Sequence, residues 1–364
     1  MPDARVAGAS SGREQAFSIE RLRAWDGFAP HWVEADGSYW LSRREKIFRA
    51  ASLGAKPEYC ASVPAPSLKS LISRLPYAER ALRFSVYNIV PRPDGSVFVT
   101  FGRSFYTYHD GHWTEVTGTV RPCRVLRGTA AVVPSGDIYF GEYFDNPDRS
   151  DEVHVFRIPA GSSEAECVHT FQPGEVRHVH GLHFDPIGQS VWLLTGDLPN
   201  ECRILETADG FQSVQTVGAG DESWRGISPC FRRDAIFYAT DAQFEQNYIY
   251  RIDRACRERT PVTEIDGPSY YSAQFGNHVV FCTTAELCPS QKEGSAAMWL
   301  VDPAGSANAV GSWQKDLFRS HRLADIFQYG IIQLPYGNIS EAALPFTGTG
   351  LRGLNRRMFV LKFV

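Results

Sequence analysis

Short β-rich runs recur along the chain at regular intervals. Each run follows a turn rich in glycine, aspartate or asparagine, as at residues 94–100 and 188–194. The apolar centres of five runs fall at positions 98, 139, 192, 237 and 280, which are 41, 53, 45 and 43 residues apart. A period in the forties is typical of β-propeller blades. The pattern therefore predicts an all-β fold, a single β-propeller of about seven four-stranded blades, with six blades as the alternative.

The two ends of the chain and three insertions interrupt this rhythm. A weaker early run lies at 36–41, and residues 329–363 supply a last unit whose final strand is expected to pair into the first blade and close the ring. Helical spacing of apolar residues predicts short helical inserts at 13–24, 67–83 and 313–327. We therefore divide the chain into a flexible N-terminal tail, residues 1–16, and a propeller domain, residues 17–364.

Composition narrows the environment and the partners. The chain is 43% hydrophobic and 21% charged, with a net charge of −4. It has no long basic run and no apolar run that would span a bilayer, so we expect neither a nucleic-acid nor a membrane partner. None of the eight cysteines forms a CxxC pair. Free thiols suit a reducing compartment, so the predicted location is the cytoplasm.

One histidine-rich segment, residues 177–186, stands just before a predicted inner strand. Side chains alternate along a strand, so His178 and His180 should project to one side and His183 should lie out of phase. The segment enters the blade near the central axis, at the mouth of the predicted channel. A pair of histidines at such a position suits proton transfer or metal binding.

Charged residues also follow the second strand of successive units. They are Arg103, Glu142, Asp197, Asp241 and Glu286. In a propeller, the loop after the second strand opens on the same face as the loop before the first strand. Equivalent positions in consecutive blades should therefore line one opening with carboxylates, and the two histidines should lie among them.

These observations give a set of candidate site residues. The candidate catalytic residues are His178, His180, Glu142, Asp197 and Asp241. The candidate substrate-binding residues are Arg177, Arg225, Tyr143, Tyr270 and Tyr271. We expect no cofactor, because the His-x-His pair alone is a weak signal for a divalent metal and the remaining ligands would have to come from other blades.

Several motifs together resemble a group of BNR-repeat, sialidase-like β-propeller proteins. They are residues 141–143 (GEY), 177–181 (RHVHG), 185–186 (DP), 191–197 (VWLLTGD) and 239–241 (ATD), in this order. The resemblance covers about residues 85–300. It implies a propeller fold and a glycan ligand, an oligosaccharide or polysaccharide, but no particular reaction, since activity is largely unestablished in this group.

Two kinds of function fit these candidates. The first is a carbohydrate-active enzyme at the channel face, either a glycoside hydrolase or a polysaccharide or oligouronide lyase. A hydrolase needs two carboxylates on either side of the scissile bond, whereas a lyase needs a base such as His178 or His180 and a cation, Arg225 or a metal, for the uronate carboxylate. The second is a non-catalytic propeller that binds a glycan or a protein over the same face.

Overall fold

A computed structural model describes residues 17–75 and 77–363 of the chain. Its strands form seven antiparallel sheets arranged in a ring, which confirms the predicted seven-bladed β-propeller. The predicted flexible tail, residues 1–16, lies outside the described residues. Within the described part, no helix is long and apolar enough to cross a bilayer.

The first strands of the blades lie innermost, and those of blades 1 and 2, 3 and 4, 5 and 6, and 6 and 7 contact one another. The strands of blades 1 to 4, from the inside outwards, are as follows: blade 1, Ala29–Val33, Tyr39–Arg43, Lys46–Ala50 and Glu58–Ser62; blade 2, Val86–Pro91, Val97–Phe101, Ser104–His109 and His112–Glu115; blade 3, Ala131–Val132, Ile138–Gly141, Val153–Ile158 and Glu166–Phe171; blade 4, Val179–Asp185, Ser190–Thr195, Arg203–Thr207 and Gln215–Ala219.

The remaining strands belong to blades 5 to 7. They are as follows: blade 5, Cys230–Phe231, Ala235–Ala239, Asn247–Asp253 and Arg259–Ile265; blade 6, Ser269–Phe275, His278–Thr283, Ser295–Val301 and Ala307–Gln314; blade 7, Ile331–Gln333, Ala343–Thr349, Phe359–Phe363 and Phe17–Arg21. A short strand, Tyr336–Gly337, joins blade 1 parallel to its first strand.

The ring is closed by the N-terminal strand. Phe17–Arg21 pairs with Phe359–Phe363 and becomes the outermost strand of blade 7. The prediction that the C-terminal strand pairs into the first blade is therefore wrong in direction, because the first segment of the chain joins the last blade. The predicted helix at 13–24 is also wrong over 17–21, since pairing with the last strand holds these residues extended despite the helical spacing.

The other two predicted inserts do contain helices. Ser67–Ile72 and Ala78–Ala81 lie within the predicted 67–83 insert, and His321–Ile326 lies within 313–327. The start of the latter range belongs instead to the outer strand of blade 6, Ala307–Gln314. Three 3₁₀ turns complete the described helices: Arg23–Trp25, Pro199–Glu201 and Glu222–Trp224.

Apolar side chains fill the space between adjacent blades. Between blades 2 and 3, for example, the ring of Phe140 stacks on Phe98 at 5.8 Å and on Phe156 at 5.5 Å. The runs recognised in the sequence are the second strands of the blades, which are almost wholly buried between their neighbours. The loops at the blade edges carry the polar residues of the candidate site.

Candidate active site

A cluster of ionisable side chains lies at one edge of blades 4 and 5. His178 comes directly before the first strand of blade 4, and Asp197 follows the second strand by two residues. In blade 5, Arg225 precedes the first strand and Asp241 follows the second. Because these strands are antiparallel, the start of one and the end of the other share an edge. We call His178, His180, Asp197, Arg225 and Asp241 the acid–histidine cluster.

A β-bulge in the first strand of blade 4 sets the directions of its histidines. The register with the second strand shifts around His180, which is the extra residue. The rings of His178 and His180 lie 5.3 Å apart. The expectation that His183 is out of phase is wrong, because the bulge shifts the alternation by one residue. His183 therefore turns to the same side and lies 2.7 Å from the Ile227 carbonyl oxygen, next to the Gly226 carbonyl contacted by His180.

Both cluster histidines contact backbone carbonyls through Nδ1. His178 Nδ1 lies 3.3 Å from the Phe144 oxygen, and His180 Nδ1 lies 3.2 Å from the Gly226 oxygen. A carbonyl accepts only, so we assign the ring proton to Nδ1 in both residues. Each Nε2 then faces the Asp197 carboxylate, at 3.5 Å in both cases. Burial lowers the pKa of His178 to about 3, although the charge of Asp197 opposes the shift. His178 is therefore neutral near pH 7.

Asp197 is the central carboxylate of the cluster. Arg225 Nη2 lies 3.0 Å from its Oδ1, and Arg177 Nη1 lies 3.1 Å from its Oδ2. Burial alone would raise the pKa of Asp197, but its interactions with His180, His178 and Arg225 hold that pKa far below its ordinary value. The permanent charge of Arg225 persists at neutral pH. Asp197 is accordingly ionised at neutral pH.

Arg225 is buried and connects the two blades. Its Nε lies 3.1 Å from Asp241 Oδ2, while its Nη1 lies 3.8 Å from Glu222 Oε1. Burial would lower the pKa of Arg225, but Asp241 and Asp197 raise it above its ordinary value. The guanidinium therefore stays charged and shares that charge between two aspartates. Burial raises the pKa of Asp241, and Arg225 opposes this shift.

Glu286 adds a third buried acid from blade 6. Burial raises its pKa to about 8, and the charges of Asp241 and Asp197 act in the same direction. Glu286 is therefore mostly protonated at neutral pH. The sequence pattern placed Glu286 in the same series as the other acids but did not single it out as catalytic. The sequence feature that could have identified Glu286 as a site residue is its position after the second strand of its blade, which Asp197 and Asp241 share.

The structure places Glu142 away from the cluster. Its Oε2 accepts hydrogen bonds from the backbone N–H and from Nδ1 of His154, both at 2.9 Å. The residue equivalent to Asp241 is Tyr143, because both donate their backbone N–H to an arginine carbonyl that precedes the first strand of their own blade. A one-residue offset reverses the side of a strand. Glu142 therefore faces its own blade, and Tyr143 faces the cluster.

Tyr143 covers His178 at the surface of the cluster. The two rings lie 4.0 Å apart. Burial raises the pKa of the Tyr143 hydroxyl, and the charges of Asp197 and Asp241 raise it further. The hydroxyl therefore carries its proton at neutral pH. A neutral imidazole and a protonated phenol lie side by side here.

The two tyrosines of blade 6 have other neighbours. Tyr270 packs against the apolar core formed with blade 7. Tyr271 is buried near Arg127 and Tyr87; burial raises its pKa to about 12, and Arg127 opposes the shift. The bulge that begins the first strand of blade 6 directs these side chains into the core and the channel.

Three groups of the cluster have the donor chemistry of a metal site. The nitrogen atoms of His178 and His180 and an oxygen of Asp197 lie within 4.8 Å of one another. However, each Asp197 oxygen already lies 3.0–3.1 Å from a guanidinium nitrogen of Arg225 or Arg177. A divalent ion would have to share that carboxylate with two cations at close range. The arrangement fits a carboxylate neutralised by arginines better than a metal ligand.

Comparisons with known proteins support the fold. No protein-family model matches the chain, and no curated protein is significantly similar to it in sequence. Among solved structures, one titled "Oligogalacturonate lyase in complex with manganese" superposes with a TM-score of 0.58 at 10% identity, covering 95% of this chain and 93% of that chain.

Solved structures of other kinds of protein also superpose on this chain. A chain of a mitotic checkpoint complex gives a TM-score of 0.56 at 10% identity, with 99% of this chain and 100% of that chain covered. A prolyl endopeptidase gives 0.52 at 12% identity, covering 91% of this chain and 47% of that chain. At these identities the similarity extends to the propeller fold alone, so function must be argued from the site.

Proposed function

We propose that this protein is a carbohydrate-active lyase that cleaves an acidic oligosaccharide by β-elimination at the acid–histidine cluster. The observation that carries the proposal is the neutral imidazole of His178, whose ring centroid lies 4.0 Å from that of the protonated Tyr143, next to the partly exposed Arg177. These three side chains supply a base, an acid and a cation, which are the groups that β-elimination from a uronate requires.

Arg177 binds the uronate carboxylate in this proposal. Its side chain is 33% exposed, whereas Arg225 is buried between two aspartates. Arg177 Nη2 contacts Asp145 Oδ1 at 2.9 Å, and the side chain of Asp145 is 77% exposed. A substrate carboxylate can take the place of Asp145 with little loss. Its charge would then be neutralised, which makes the neighbouring C–H more acidic.

His178 and Tyr143 exchange the protons. Nε2 of His178 accepts the proton from the carbon next to the carboxylate, and the C–H electron pair forms the new carbon–carbon double bond. The bond from the adjacent carbon to the glycosidic oxygen breaks, and its electron pair goes to that oxygen. The Tyr143 hydroxyl donates a proton to the leaving oxygen. The protonated imidazole then returns a proton to Tyr143, and no water enters the products.

The remaining cluster residues act as positioning residues. The Phe144 carbonyl, which accepts the Nδ1 proton, holds His178 in its ring orientation and tautomer. Arg225 in turn holds Asp197 and Asp241 together. Preorganised groups of this kind spare the transition state the cost of reorientation.

Elimination fits the cluster better than hydrolysis. Asp241 is bound to Arg225, and Glu286 is mostly protonated at neutral pH, so neither is a free, ionised carboxylate. A glycosidase needs two carboxylates that reach the scissile bond from its two sides. The side chains at the surface of this cluster are instead a tyrosine, an arginine and one arginine-bound aspartate. The similar fold of the oligogalacturonate lyase is consistent with this chemistry on a propeller.

The test is incubation with a panel of uronate oligosaccharides and neutral analogues. We expect products with a new double bond, detected by ultraviolet absorbance and mass, from the acidic substrates only. His178→Gln keeps an amide donor for the Phe144 carbonyl but removes the base, so turnover should fall about 10²–10⁴-fold.

A second buried histidine supplies the matched control. His154 Nδ1 lies 2.9 Å from Glu142 Oε2 in blade 3, outside the cluster. His154→Gln should lower stability by about 1–3 kcal/mol but leave turnover per folded molecule unchanged. Equal loss of activity in both variants would contradict the role of His178. Tight binding of the panel without any product would instead favour the non-catalytic glycan-binding function.

A further inference from the structure

A polar cavity lies on the same face of the propeller as the acid–histidine cluster, at blades 1 and 7. Residues at the ends of the second strands of blades 1 and 7 are part of its lining. The acid–histidine cluster lies at the ends of the second strands of blades 4 and 5. Both sites therefore open at the same channel mouth, on opposite sides of the ring. The cavity has a volume of about 320 Å³, within the range of small-ligand sites, roughly 300–1,000 Å³.

The lining of this cavity is strongly basic. Its arginines are Arg43, Arg44, Arg74, Arg80, Arg127 and Arg356. Glu79 is the acidic residue among the described lining residues, and its Oε2 lies 2.9 Å from Arg356 and 3.4 Å from Arg44. Arg80 is paired with Asp316 outside the lining, at 2.5 Å. These pairs leave a surplus of positive charge in the cavity.

Arg127 forms the inner wall of the cavity and is buried, with 5% of its surface exposed. Its Nη1 lies 3.1 Å from the Pro30 carbonyl oxygen and 3.3 Å from His31 Nδ1, and its Nη2 lies 3.3 Å from the Val86 carbonyl oxygen. Among the residues that the structure describes, no carboxylate pairs with this guanidinium. A buried charge without a counter-charge is costly in free energy.

Arg43 and Arg74 add to the same surplus. Arg43 contacts the carbonyl oxygens of Asp26 and Gly27 and lies over the ring of Phe28, so it gains polar contacts but no counter-charge. Burial lowers the pKa of Arg43, and the neighbouring positive charges of other arginines lower it further. Arg74 is exposed at the rim. Like charges held this closely favour an anion between them.

We propose that this arginine-lined cavity binds the carboxylate of an acidic sugar residue, with Arg127 as its innermost contact. The inference that the ligand is a sugar rests on the proposed function. The inference that the cavity binds an anion rests on Arg127, which pairs with no carboxylate among the described residues. A ligand chain held here by one acidic residue would extend across the channel mouth towards Arg177. The cavity would then act as a second, non-catalytic subsite that selects acidic chains over neutral ones.

The test is calorimetric titration of the full chain with galacturonate, with galactose and with inorganic sulfate. Galacturonate should bind and galactose should not. Arg127→Met and Arg74→Gln should each weaken galacturonate binding, the former by about 10- to 100-fold, as expected for loss of a charge-assisted contact. Arg233→Gln is the control, since Arg233 is exposed on a turn at the other face and should leave binding unchanged. Arg74→Gln keeps the test decisive if Arg127→Met does not fold.

Three results would overturn the inference. One is absence of galacturonate binding, and another is binding of sulfate in preference to galacturonate. The third is binding that persists in both Arg127→Met and Arg74→Gln but is lost in Arg177→Gln, which would place the sugar at the acid–histidine cluster. That last result would leave the proposed function intact, so the two proposals fail separately.

Discussion

Arg225→Met is the substitution that most directly perturbs the electrostatics of the site. Arg225 is 4% exposed and contacts Asp197 and Asp241 at 3.0 and 3.1 Å. Its loss leaves two acids, both largely buried, without their shared cation. Breaking a buried pair by removing one partner typically costs about 3–5 kcal/mol. We expect the free energy of unfolding to fall by that amount.

This loss in the free energy of unfolding also predicts a shift in melting temperature. An unfolding entropy of about 2.1 cal/mol/K per residue, over a chain of 364 residues, amounts to about 0.8 kcal/mol/K. A loss of about 3–5 kcal/mol then lowers the melting temperature by about 4–7 °C. Arg254→Met is the matched comparison, because Arg254 pairs at 2.6 Å with the fully buried Asp185 at the opposite face. It should destabilise the fold in the same way but leave turnover per folded molecule unchanged.

The effect of Arg225→Met should depend on pH in a defined direction. In the native protein the pKa of Asp197 is lowered, so its contribution to stability is present above the unfolded pKa of about 3.9 and is lost as pH falls through the folded pKa. Without Arg225, the pKa values of Asp197 and Asp241 should both rise. A carboxyl whose folded pKa is raised destabilises the fold as pH increases. Urea unfolding should therefore show a larger stability loss at pH 8 than at pH 5, and a small or pH-independent loss would refute the reasoning.

Three further predictions follow from individual groups. Glu286→Gln should raise stability at pH 8–9 and the gain should shrink by pH 5, because the wild-type pKa of about 8 makes ionisation of Glu286 costly at high pH; urea unfolding at both pH values checks this. A chelator should leave turnover unchanged, because Arg225 and Arg177 already occupy Asp197, whereas a loss restored by a divalent ion would contradict the proton-accepting role of His178. Alkylation without reductant, read by mass spectrometry, should find all eight cysteines free in protein from its native host, as expected for the cytoplasm, and several native disulfides would contradict that location.

The fold was predictable because its signal is local and repeated. Each second strand combines a turn with an apolar run, as in Val97–Phe101 and Ser190–Thr195, and the repeat spacing then indicates blades. The closure was not predictable in detail, because the pairing of Phe17–Arg21 with Phe359–Phe363 joins segments more than 300 residues apart. Helical spacing at the N-terminus predicted a helix where the structure has a strand, because the strand partner lies at the other end of the chain.

The candidate site was predictable only where strand alternation is regular. Blade equivalence placed Asp197, Asp241 and His178 at one edge, and the structure brings them together. Whether Glu142 or Tyr143 faces the cluster depends on the residue at which the second strand of blade 3 ends. The direction of His183 depends on a bulge, and sequence periodicity does not reveal a bulge.

The reaction proposed for the acid–histidine cluster is cleavage of acidic glycans by elimination. The most direct measurement is digestion of a uronate oligosaccharide in water enriched in heavy oxygen, followed by mass analysis of both product ends. Elimination predicts an unsaturated product whose new end carries no heavy oxygen, and His178→Gln should lose that product. Two saturated products, with heavy oxygen incorporated and no unsaturated product formed, would show hydrolysis and would contradict the claim.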